Sequence, residues 1–161
     1  MRLLQQPGLQ RALGLLIGAV FVYASLDKIA HPADFARIVY HYQVVGPNRL
    51  LPPALPNAFA LALPWVELLT GILLIAGIWR REAAAVAALL LLAFLGAVGS
   101  ARYRGIDIES CGCFTVTAAG RHAGALLLLE DAALLAAALV LFVRPQQGAP
   151  AAAAELTTPA R

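Results

Sequence analysis

The chain has 161 residues, of which 61% are hydrophobic and 13% charged, with a formal net charge of +3. A soluble domain carries about 25% charged residues; here the charges sit in short segments between long apolar runs, which argues against a soluble globular fold and for a membrane bundle. The small excess of base is scattered, with no basic run interleaved with aromatics, and so gives no sign of a nucleic-acid partner.

Four spans of roughly 20 residues with short loops consume nearly the whole length. The expected fold is an all-α integral membrane protein. It is a four-transmembrane-helix bundle over 1–145, with a short interfacial helix between helices 1 and 2. Any soluble catalytic partner is expected on another chain.

The first span is expected over about 9–30. Arg2 and Arg11 precede the apolar stretch Ala12 to Leu26, a pattern shared with secretory signal peptides. Because three more spans follow, the expectation is an uncleaved first helix. Gly14 and Gly18 form a small-xxx-small pair that lets helix backbones approach closely. Asp27, Lys28 and His31-Pro32 close the span, since a proline disfavours helix at the residue before it. A local Asp27–Lys28 ion pair at the membrane interface is expected there.

Residues 33–45 read as an amphipathic helix. Phe35, Ile38, Val39 and Tyr42 share one stripe, while Asp34, Arg37 and His41 fall off it. The segment is too short and polar to span, so it is expected to lie along the interface until Gly46-Pro47-Asn48 stops it. Prolines 52, 53 and 56 make 50–56 an extended connector. The second span, about 58–79, carries Pro64 in its first third and Glu67 near its centre. Pro64 should kink the helix or mark its first turns. Trp65 is then expected to be buried, and Trp79 to anchor the interface. Tyr23, Tyr42 and Tyr103 also fit interfacial belts.

Arg80-Arg81-Glu82 is expected to be a short polar turn, forcing antiparallel second and third spans. The third span, about 83–101, has no internal charge, and Gly96 and Gly99 should allow close contacts. A loop over 102–121 holds Asp107, Glu109 and Cys111-Gly112-Cys113-Phe114. The fourth span, about 123–143, has Glu130 and Asp131 near its middle. The Ala/Pro/Gln-rich tail, 146–161, is expected to be disordered.

Arginines and lysines do not set the orientation. With the N-terminus inside, positions 2, 11, 80, 81, 144 and 161 face in, and 28, 37, 49, 102, 104 and 121 face out, so the two sides balance. The cysteines tip the choice, because a disulfide lasts only in an oxidising compartment. Both termini are therefore placed in the cytoplasm and the cysteine loop outside.

Cys111 and Cys113 are the candidate reactive pair. Oxidised, they would close a tight ring, for which Gly112 supplies backbone freedom. Such a ring is strained and readily reduced, and it closes too little chain to stabilise much through loop entropy. Thiol–disulfide exchange is the leading reading. Two inert thiols are one alternative. Another is a soft metal such as Cu(I) held with His31, His41 or His122. The spacing is not a zinc signature, and each histidine is more simply read as interfacial, so no metal ligand is assigned.

The intramembrane acids come next. A central Asp costs about 2.5–3.5 kcal/mol on the insertion scale, against roughly −0.3 to −0.6 for each Leu, Val or Phe. The fourth span has eleven such residues, so two charged acids would cancel most of its gain. Glu130 and Asp131 are about 100° apart around the helix, and both cannot point into one site. Proton handling, polar contact with a bound head group, and interhelical hydrogen bonding all remain open for Glu67, Glu130 and Asp131.

Together these segments resemble the MauE family of methylamine-utilisation membrane proteins, within the DoxX-like group. The resemblance rests on Ser25-Leu26-Asp27-Lys28-Ile29 with His31-Pro32 and Phe35. It rests also on Leu63-Pro64-Trp65-Val66-Glu67-Leu68-Leu69-Thr70-Gly71 and on Cys111-Gly112-Cys113-Phe114. It implies a role in forming or reshuffling disulfides of an exported, cysteine-containing client at the bacterial inner membrane, beside a periplasmic thioredoxin-like partner. The family's type member is associated with maturation of the cysteine-rich light subunit of methylamine dehydrogenase. The plan is also similar to that of quinone-linked disulfide-forming enzymes, which use two cysteine pairs where this chain has one. A quinone, if bound, is expected near Glu67 and Trp65.

Overall fold

A computed structural model describes residues 7–41, 55–105 and 125–143. Among them the chain forms five α-helices and no strand: α1 (Pro7–Ala30), α2 (Pro32–His41), α3 (Leu55–Ala76), α4 (Arg80–Tyr103) and α5 (Ala125–Val143). Outside them lie the Cys111-Gly112-Cys113 loop, Tyr42, Gly46-Pro47-Asn48, Pro52, Pro53, His122 and the tail over 146–161.

Three helical segments, Gly8–Ala30, Asn57–Ala76 and Arg80–Tyr103, are long and apolar enough to cross a membrane. At 24 residues, α1 and α4 each reach about 36 Å, more than the ~30 Å hydrocarbon core. The large apolar side chains point outward: Leu15, Leu16, Leu61, Leu69, Leu89 and Leu129 are all exposed. In water such a surface would aggregate; against lipid it is the solvated face. The interior collects small and polar residues, among them Ser25, Thr70, Ala84 and Ala87, beside apolar ones such as Ile17, Phe21 and Leu74. Small residues let helices approach where lipid supplies no hydrophobic drive.

The crossing of α1 and α3 is the tightest. A Cβ on Gly18 would sit 2.7 Å from the Gly71 carbonyl oxygen, and one on Gly71 would sit 2.9 Å from that of Gly18. Gly14 approaches the Leu74 carbonyl in the same seam. The glycine pair expected to bring backbones together does so, with Gly71 as its partner. Between α4 and α5, contact runs over alanines instead. Ala83, Ala84, Ala87 and Ala88 lie on the buried face of α4 with Leu90 and Leu91, packed in one core with Ala138 and Leu141 of α5. Gly96 and Gly99, expected to permit close contacts, have nothing within 4 Å of an added Cβ. They lie on the exposed side of α4, where their small size serves no crossing.

The α3–α4 connection differs from the expected Arg80-Arg81-Glu82 turn. The turn is Gly77-Ile78-Trp79, and Arg80 already begins α4. Gly77 is left-handed at φ +71, and the Ile78 amide donates to the Leu73 carbonyl at 3.2 Å. That is the Schellman stop, which wants glycine at its left-handed position. Glu82 then falls in the first turn of α4, where a carboxylate suits the helix dipole. Trp79 is also left-handed, at φ 46, and stays exposed, as an interfacial anchor would.

The connector expected over 50–56 ends early, because α3 starts at Leu55. Pro56 sits in its first turn, where a missing amide hydrogen costs nothing. Pro64 lies inside the helix, fully buried. α2 is amphipathic as expected, with Pro32 at its first position. Phe35 is fully buried, with Ile38 and Val39 packed beside Ala60 and Phe94. Asp34 and Arg37 pair with each other on the exposed side.

Candidate site: a buried ion pair and a third carboxylate

The interior faces of three helices carry one charge each. On α1 the buried stripe includes Gly14, Ile17, Phe21, Ser25 and Lys28, flanked by Gly18 and Ala24. On α3 it includes Ala60, Pro64, Glu67, Thr70 and Leu74, and on α5 Asp131, Ala138 and Leu141. The steps along each of these series are three, four or seven residues, the return interval of a 3.6-residue helix. The same stripe that buries apolar side chains therefore buries Lys28, Glu67 and Asp131.

Lys28 Nζ donates to both Glu67 oxygens at 2.7 Å. The lysine side chain is fully buried and the glutamate nearly so. Lys28 also lies 4.8 Å from the Phe94 ring centroid and 5.3 Å from that of Phe35, within cation–π range. One ammonium is thus held by a bidentate carboxylate and two ring faces, from α3, α4 and α2. The pair expected between Lys28 and Asp27 does not form. Asp27 is about 100° away around the helix; its carboxylate instead stands 3.5 Å from His31 Nδ1.

Ser25 and Thr70 are buried one turn from these charges. Their hydroxyls donate to the carbonyls of Val22 and Val66 at 2.8 and 2.7 Å. Each back-bonds within its own helix and so makes no claim on Lys28 or Glu67.

Asp131 is 1% exposed, and its Oδ2 has no hydrogen-bond partner. It lines a cleft with Glu67, Phe21, Leu91, Phe94 and Leu134, among others. Glu130 is only partly buried, so the two adjacent acids do diverge as their angular separation requires. Glu67 and Trp65 part in the same way. Glu67 turns into the bundle, while Trp65 is 56% exposed on the opposite side of α3. Trp65 was expected to be buried; two residues along a helix is about 200° of rotation, so one of the two had to face outward. Cys111 and Cys113 lie outside the described residues.

Sequence reasoning missed the role of Lys28. Its signal was present: Lys28 is eleven residues after Ile17, three full turns, and so stands on the interior stripe. What hid it was the adjacent Asp27, which offers a partner in sequence but not in space.

The family model described as methylamine utilisation protein MauE matches residues 7–144. The chain belongs to the MauE family. It is 33% identical over 153 residues to "Methylamine utilization protein MauE" of Paracoccus denitrificans, covering 95% of this chain and 78% of that protein. It is 32% identical over 111 residues to the protein of the same name from Methylophilus methylotrophus, covering 69% of this chain and 55% of that one. No solved structure matches. The family and the three apolar helices together make this a multi-pass membrane protein.

Proposed function

We propose that this MauE-family protein is a membrane thiol–disulfide exchange component that serves an exported, cysteine-containing protein of methylamine utilisation. The observation that carries the reading is the Cys111-Gly112-Cys113 triplet, which falls inside the family-matched segment. These are the chain's two cysteines, spaced too closely to act as a staple. In the exchange, a thiolate of one pair attacks the disulfide of the other and forms a mixed disulfide. The second thiol then resolves it, so one pair is oxidised as the other is reduced and no further oxidant is consumed. The partner is a thioredoxin-like protein outside the cytoplasm.

α5 supplies the fourth span. Its 19 residues make about 28 Å of helix, close to the hydrocarbon thickness. With four spans both termini lie on one side of the bacterial inner membrane, and the cysteine pair, whose disulfide lasts only in an oxidising compartment, favours the loop outside and the termini in the cytoplasm.

The test is a trapping experiment. Cys111→Ser or Cys113→Ser removes the resolving thiol, and one of the two variants should accumulate a covalent complex with the thioredoxin-like partner, released by reductant. Partner binding and client maturation both preserved in the double serine variant would show an assembly anchor instead. Metal that co-purifies with the wild type and is lost from the double variant would point to copper handling.

A further inference from the structure

Among the described residues the bundle interior buries one ammonium and two carboxylates. Lys28 and Glu67 satisfy each other at 2.7 Å, which leaves Asp131 over. The aspartate is buried, its Oδ2 is unpartnered, and it borders the cleft shared with Glu67. Among the described residues no further cation lines the cleft. α4 contributes Leu91 and Phe94 to the lining, and α1 contributes Val20, Phe21 and Ala24. Asp27 pairs with His31 at the end of α1, and Glu130 is turned partly outward with interactions of its own. With all three groups ionised, the cluster carries one unbalanced negative charge in an apolar medium, where an uncompensated charge is costly.

We infer that this cleft is a binding site for one small monovalent cation on Asp131, and that its lining favours a proton. The cleft has room for about one water molecule. An alkali ion needs a shell of oxygen donors, whereas this lining offers two carboxylates and otherwise hydrocarbon. A proton needs one carboxylate oxygen, with a water to carry it to or from Glu67. The Lys28 charge acts on Asp131 as well as on Glu67. Occupancy is therefore coupled to the ion pair. With the cation bound, Lys28 belongs to Glu67 alone; without it, the two carboxylates compete for one ammonium. This site stands apart from the cysteine chemistry and does not depend on it.

Infrared spectroscopy of the full-length protein in phosphatidylcholine–phosphatidylglycerol nanodiscs at neutral pH tests the inference. In choline chloride the wild type should show a buried carboxylic-acid carbonyl band that shifts in heavy water. Isotope-labelled aspartate should move the band, which assigns it to an aspartate rather than to Glu67. Asp131→Asn should abolish it. Glu67→Gln should abolish it too, although Asp131 is still present, because Lys28 then takes Asp131 as its counter-ion; circular dichroism checks that the helices persist. Loss of the wild-type band when sodium replaces choline at constant pH would put sodium on the same carboxylate. Absence of the band in both salts, insensitivity to aspartate labelling, or persistence in Asp131→Asn would overturn the site. Persistence in Glu67→Gln would overturn its coupling to Lys28.

Discussion

The α1–α3 pair and the α4–α5 pair both bring helices close, and they do it by different means. In the first, Gly18 and Gly71 let backbones touch, and an ion pair of 2.7 Å bolts the helices together further along. In the second, four alanines on α4 make a smooth face, and α5 brings a buried acid without a matching cation. Close approach by glycine leaves no slack, so the first seam tolerates no added atom. Contact over alanine leaves methyl-sized play. The difference shows where this bundle spends specificity: α1 and α3 are registered by directional contacts, and α5 is positioned mainly by shape.

Substitutions can break or sharpen that contrast. The largest effect is expected from Lys28→Ala, which strands the buried Glu67 carboxylate; about 3–5 kcal/mol of stability should be lost, as read by detergent-induced unfolding, with a smaller loss for Glu67→Ala because Asp131 can then serve Lys28 as counter-ion. Lys28→Met combined with Glu67→Leu should cost much less than either single change, because neither charge remains to be compensated. Equal losses in the single and double variants would remove the ion pair from this account.

The next effect falls on the glycine seam. Gly18→Val and Gly71→Val should each cost about 1–3 kcal/mol by overpacking in the same unfolding assay, since the added Cβ meets a backbone oxygen inside 3 Å. Gly96→Ala and Gly99→Ala on α4 have open space instead. Each should leave stability unchanged or raise it by up to ~1 kcal/mol through helix propensity. A loss at Gly96 or Gly99 would reveal a partner seated on that face. The smallest effect is expected for Arg37→Ala, whose exposed pairing with Asp34 at 3.2 Å contributes about 0–1 kcal/mol. A larger change on thermal unfolding would show that α2 is held by charge rather than by Phe35.

Much of the helix plan was legible, because apolar runs bounded by Pro, Gly and charge leave few alternatives in a membrane. The amphipathic stripe of α2 was legible for the same reason: burying Phe35 requires the period that also exposes Arg37. The α3–α4 turn was misplaced by three residues. A cluster of charge looks like a turn, yet Gly77 is the residue able to take the left-handed stop, and Glu82 is more use at a helix start. Trp65 was misjudged because its neighbour Glu67 claimed the interior.

Composition and spacing by themselves determined that this chain is helical, that its helices are built for lipid, and that Glu67 and Asp131 are costly enough to need a reason. These are properties of one helix at a time, set by a period of 3.6 residues and by the energy of placing each side chain in hydrocarbon. Only the tertiary structure decided which charges meet. Lys28 and Glu67 are 39 residues apart, and nothing local joins them; the glycine crossing of α1 on α3 sets the depth at which the ammonium and the carboxylate coincide. The same packing left Asp131 Oδ2 without a hydrogen-bond partner, because the residues that α4 brings to its cleft, Leu91 and Phe94, are apolar.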